Sequence, residues 1–84
     1  MKGLTHNHKN CLKNMLDFYK IVIPSDDNKL ARSVTSAMLK EYIDCLWLDD
    51  EISNEQRDYV QKFDVASSKT NHQAFYDIIS RWVK

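Results

Sequence analysis

From Asp27 to Leu48 the chain runs without a glycine or a proline, and this stretch, DNKLARSVTSAMLKEYIDCLWL, constrains the fold more than any other. Neither of the two strong helix breakers interrupts it, and it is far longer than an ordinary strand. The spacing predicts one long helix over 27–48. Ser25, Asp26 or Asp27 caps its start, where side-chain oxygens take up free amides and negative charge suits the positive end of the helix. In its first half Leu30, Val34, Ala37 and Met38 recur at three- and four-residue steps and predict a buried stripe. In its second half Leu39, Tyr42, Ile43, Leu46 and Trp47 cover most of the opposite side, leaving Lys40, Glu41 and Asp44 as the polar edge. A helix apolar nearly all round needs cover on both sides, from its own chain or from another.

The remaining segments read as shorter helices around this one. Leu4, His8, Cys11, Met15, Phe18 and Val22 form one apolar line and Leu12, Leu16, Tyr19 and Ile23 a second beside it, predicting a first helix over 5–20 with Thr5 as N-cap. Pro24 pushes the residue before it toward extended geometry and closes that helix. Ser53 with Gln56 matches a capping box and opens a short third helix over 54–64. Thr70 with Gln73 matches another and opens a fourth over 70–83, with Ala74, Phe75, Ile78, Ile79, Trp82 and Val83 on its inner face and Asp77 spaced to pair with Arg81. Residues 65–69 read as a loop. No repeat, low-complexity segment or linker divides the chain, so residues 1–84 are expected to form one all-α domain, a compact four-helix fold with the long second helix at its centre.

The formal charge is zero but unevenly spread. Lys2, Lys9, Lys13 and Lys20 outweigh Asp17 in the first 24 residues, a net +3. In residues 41–64, Glu41, Asp44, Asp49, Asp50, Glu51, Glu55, Asp58 and Asp64 meet only Arg57 and Lys62, a net −6. Such a segment is a solvated acidic face or a docking surface for a basic partner. No apolar leader follows Met1-Lys2-Gly3 and no run reaches membrane length, which points to the cytosol.

Catalytic and metal chemistry find little purchase in the sequence. With Gly3 as the only glycine there is no phosphate-cradling loop and no G-x-S-x-G nucleophile elbow. Cys11 and Cys45 fall on apolar stripes and read as buried, reduced thiols. His8 stands three residues before Cys11 without a group in sequence to orient it. His6, His8 and Cys11, with Cys45 or His72, do not have paired zinc spacing, and Asp49-Asp50-Glu51 lacks the alternation and central glycine of a calcium loop. The chain is therefore expected to be non-catalytic and to need no metal or cofactor. Nucleic acid is disfavoured by the acidic segment before the fourth helix, and the lysines at 2, 9, 13 and 20 make the only basic strip.

Size and helix count are similar to small bacterial and phage regulators and to colicin-nuclease immunity proteins, which present an acidic helical surface to a basic partner. Asp26-Asp27-Asn28-Lys29-Leu30 looks like a piece of the latter, but their tyrosine-tyrosine-proline segment has no counterpart here. Phe, Tyr, Met, Ile, Asn and Lys together number 31 against 9 for Gly, Ala, Arg and Pro, which suits an AT-rich gene of phage or bacterial accessory type. The expected function is that of a small regulator or inhibitor binding a partner protein. Leu39, Ile43 and Trp47 would make the contact, and Asp44, Asp49, Asp50 and Glu51 would steer it. The rival readings are a homodimer that covers the surplus apolar face with its own copy, and a weak nucleic-acid binder using Lys2, Lys9, Lys13 and Lys20.

Overall fold

The structure, a computed structural model, describes residues 3–63 and 68–84, with Asn28 described by its backbone alone. Four α-helices follow one another: α1 (His6–Val22), α2 (Lys29–Leu48), α3 (Asn54–Gln61) and α4 (Lys69–Trp82). A 3-10 turn over Asp26–Asn28 leads into α2, and no strand occurs among the described residues. The all-α, four-helix architecture expected from the sequence is the one observed.

Local chemistry sets most of the boundaries. Thr5 is extended and its hydroxyl accepts from the His8 amide at 3.3 Å, capping α1. Ser53 and Gln56 form the full reciprocal capping box of α3, at 3.1 and 2.8 Å. α4 starts one residue earlier than its spacing predicts, because Ser68 rather than Thr70 is the cap and accepts from the Asn71 amide at 3.1 Å. Thr70 lies inside the helix, and Asp77 accepts from Gln73 at 2.9 Å instead of engaging Arg81. The expected loop over 65–69 falls largely outside the described residues. At the end of α2 the Glu51 amide bonds the Leu46 carbonyl at 2.9 Å and the Asp50 amide the Trp47 carbonyl at 3.0 Å. Asp50 takes the left-handed conformation, φ 62°, in the place glycine most often fills.

The helices form an antiparallel circuit. α1 and α2 lie side by side, α4 returns along α1, and α3 packs on α2 and α4. Lys69 near the start of α4 donates to the Pro24 carbonyl just past α1, and Lys9 reaches the Lys84 carbonyl at the other end. α3 is fastened to the second half of α2. Arg57 and Gln61 both donate to Asp44 at 3.0 Å, the Trp47 indole N–H donates to Asn54 at 2.6 Å, and the Arg57 guanidinium stacks over the Trp47 ring at 4.7 Å.

The core is built from Leu12, Leu16 and Tyr19 of α1, Leu39, Ile43 and Leu46 of α2, Val60 of α3, and Phe75 and Ile79 of α4, with Ile52 and Val83 closing its ends. The rotation of α2 that this requires reverses the facing read from its first half. Leu39 and Ile43 are fully buried, whereas Leu30 is 78 % exposed and Val34, Ala37 and Met38 also face outward. In their place Arg32, Thr35 and Ser36 point inward. Each is locally satisfied: Thr35 donates to the Ala31 carbonyl at 2.6 Å, Ser36 to the Ser33 carbonyl at 2.9 Å, and Arg32 to the carbonyls of Ile23 and Ser25 beyond the end of α1. These facings give distinct expectations in thermal or urea unfolding. Ile43→Ala should cost about 2–5 kcal/mol, while Leu30→Ala should stay within about 0.5 kcal/mol of the parent chain.

Candidate functional site

The outward rotation of Leu30, Val34 and Met38 gives α1 and α2 a shared groove. Met15 and Phe18 of α1 form one wall, Leu30, Val34 and Met38 the other, and Ala31 and Thr35 the floor, enclosing about 730 Å³. Asn14 and Asp27 are the polar residues at its margin. Small side chains at 31 and 35 hold the floor low, which leaves the larger ones on either side standing as walls. Phe18, Leu30, Val34 and Met38 are each about half exposed or more, and Ile21 lies beside Phe18's turn, also exposed. An apolar patch of this extent is unusual on a surface with no use for it. Beyond the groove the seam between the two helices continues past Tyr42, whose phenol is pushed up to about 12 chiefly by burial and then by the neighbouring Cys11 thiol. Cys11 and Cys45 are exposed here, not buried as their stripes suggested, because both lie on the outward flank of the hairpin.

The acidic turn after α2 divides between surface and interior. Asp49 and Asp50 are exposed, while Glu51 is only 2 % exposed and bonded on both sides. Its Oε1 accepts from the Thr5 amide at 2.9 Å and its Oε2 lies 2.5 Å from His8 Nδ1. α1 has no acid in its own first turn, and Glu51 supplies the negative charge that its N-terminus favours. His8 is thus engaged with Glu51 and stacked edge-on to Tyr42 at 6.1 Å, in place of an arrangement with Cys11. His8, Asp49 and Glu51 bring one ligand atom each to within 4.8 Å of one another, a grouping that combines α1 with the turn after α2 and has no signature in local spacing.

A second, polar cleft of about 460 Å³ opens between the start of α2 and the start of α4, lined by Asp26, Lys29, Arg32, Ser33, Ser68, Lys69 and His72. Lys69 pairs with Asp26, whose carboxyl is held below its usual range mainly by that contact. Behind the cleft the Tyr19 hydroxyl meets His72 Nδ1 at 2.5 Å in the core. Burial, and secondarily the Arg32 charge, push the His72 imidazole below its ordinary 6.5, and burial pushes the Tyr19 phenol up. A neutral His72 with its proton on Nε2 presents Nδ1 as an acceptor for the Tyr19 hydroxyl.

The residues singled out in sequence separate in space. Leu39 and Ile43 are core and unavailable to a partner, since no atom of either reaches the surface; Asp44 and Trp47 are committed to α3; Glu51 is inside. Of that set, Asp49 and Asp50 are exposed. Of the basic strip, Lys13 and Lys20 are exposed, Lys9 contacts the C-terminal carbonyl, and Lys2 lies outside the described residues. No protein-family model, characterised protein or solved structure shows significant similarity to the chain.

The polar core gives a pH expectation. Because His72 binds a proton less readily folded than unfolded, its contribution to stability is complete above about 6.5 and is lost as the pH falls below that value, where the unfolded chain is protonated first. The melting temperature should fall between pH 7 and pH 5, and His72→Gln should flatten that part of the profile.

Proposed function

We propose that the chain is a non-catalytic interaction module whose docking surface is the α1–α2 groove, and that the occupant is an amphipathic helix of another protein carrying basic residues along its edges. The observation that carries this is an apolar groove walled by Met15, Phe18, Leu30, Val34 and Met38 with no lysine or arginine among its lining residues. A groove between two antiparallel helices suits the apolar face of a third, read by anchors at i, i+3, i+4 and i+7. Two methionines in the walls let it adjust to side chains of differing shape. Asp27 lies at one end, and Glu41, exposed on α2, stands one turn beyond Met38. Those acids match basic edges, whereas a symmetric pair would set acid against acid across the groove, which favours a foreign helix over a second copy.

A synthetic helical peptide with leucine at the four anchor positions and lysine on both edges provides the test. Its affinity should drop about tenfold or more, roughly 1.4 kcal/mol, with Val34→Glu or Met38→Glu, while the circular dichroism and melting of these surface variants stay close to the parent. Equal binding of a glutamate-edged peptide, or affinity unmoved by both variants, would overturn the proposal. Sedimentation of the chain alone covers the rival: a dimer that Val34→Glu converts to monomer would assign the groove to a second copy.

A further inference from the structure

We infer that His8, Asp49 and Glu51 form a binding site for one divalent transition-metal ion of the zinc and cobalt class. Their ligand atoms, an imidazole nitrogen and two carboxylate oxygens, all lie within 4.8 Å of one another. Two anionic groups converge on a single imidazole, so the cluster keeps a net negative charge even when His8 is protonated. The carbonyl end of α2 adds to that negative potential, since Asp49 follows the last residue of the helix directly.

The supporting groups are arranged as metal ligands require. Glu51 is held inside the protein with Oε1 fixed by the Thr5 amide, leaving Oε2 directed at His8. The His8 ring is braced by the edge of Tyr42. Outer contacts of this kind fix the orientation of ligating side chains. Asp49 is exposed, so the site has a solvent side through which an ion enters and where water completes its coordination. One nitrogen and two oxygens, without thiolate, suit borderline ions better than calcium or magnesium, which take oxygen ligands almost throughout. Binding exchanges the proton shared by His8 and Glu51 for the metal and releases it to solvent. The ion would join the start of α1 to the turn after α2.

The exposed thiols of Cys11 and Cys45 are competing ligands for the same ions, so the experiment uses the full chain with Cys11→Ser and Cys45→Ser. Titration with Co2+ followed by its visible absorption, and with Zn2+ by calorimetry, should give one equivalent bound and a melting temperature raised by the metal. Asp49→Asn changes an exposed residue and should weaken binding by about tenfold or more, as should His8→Gln, with His6→Gln having no effect. Circular dichroism of Asp49→Asn without metal separates ligand loss from misfolding. No binding in the thiol-free chain, or binding that Asp49→Asn leaves unchanged, would overturn the assignment.

Discussion

α2 is rigid, and only one rotation about its axis places Leu39, Ile43 and Leu46 together in the core. Each of these side chains contributes on the order of 1.5–3 kcal/mol by leaving water. At about 100° per residue, Leu30, Val34 and Met38 stand on the far side of the helix from that stripe. Burying one set therefore exposes the other. The second half also carries Tyr42 and Trp47 on its flanks, which pack against the core's edge and add area that the first half does not have. The second half prevails, and Arg32, Thr35 and Ser36 are carried inside as a consequence. Burying them is tolerable because each hydroxyl or guanidinium finds a backbone carbonyl at once.

This explains which features were legible from residues alone. The two lines on α1 were visible, and the structure ranks them: Leu12, Leu16, Tyr19 and Ile23 are buried, while of the other line Val22 is core and His8, Cys11, Met15 and Phe18 form the boundary and the groove wall. The Thr5 cap and the Ser53 box were legible because their partners lie within three residues. The choice of Ser68 over Thr70 was not, since both precede a plausible helix start. The facing of α2 was missed for a physical reason. Hydrophobic periodicity counts a polar residue as outward, and it cannot register hydrogen bonds to carbonyls such as those of Ile23 and Ser25, which only the folded α1–α2 corner brings near Arg32. The groove residues were present in the sequence as a stripe, assigned to the opposite side of the wall. The meeting of His8 with Asp49 and Glu51 depends on tertiary folding and left no local trace.

The resulting surface is sharply partitioned. On α1, Lys13 and Lys20 lie roughly 140–160° around the helix from Phe18, so the basic strip and the groove face different directions. On α2, the acids split between Asp44, which holds α3, and Glu41, which stands free near the groove. The net zero charge conceals a molecule with a basic flank, an apolar cleft with an acidic margin, and a polar recess beside α4. Association through one of these need not engage the others.

The bond from the Thr5 amide to Glu51 spans 46 positions in sequence. Helix ends ordinarily fray independently of the rest of a domain, at almost no free-energy cost. Here one residue closes both ends: the buried Glu51 carboxylate accepts from the Thr5 amide at the start of α1, and the Glu51 amide donates to the Leu46 carbonyl in the last turn of α2. The two termini of the hairpin therefore belong to one cooperative unit, and their amides should exchange with solvent at matched rates although more than half the chain separates Thr5 from Glu51.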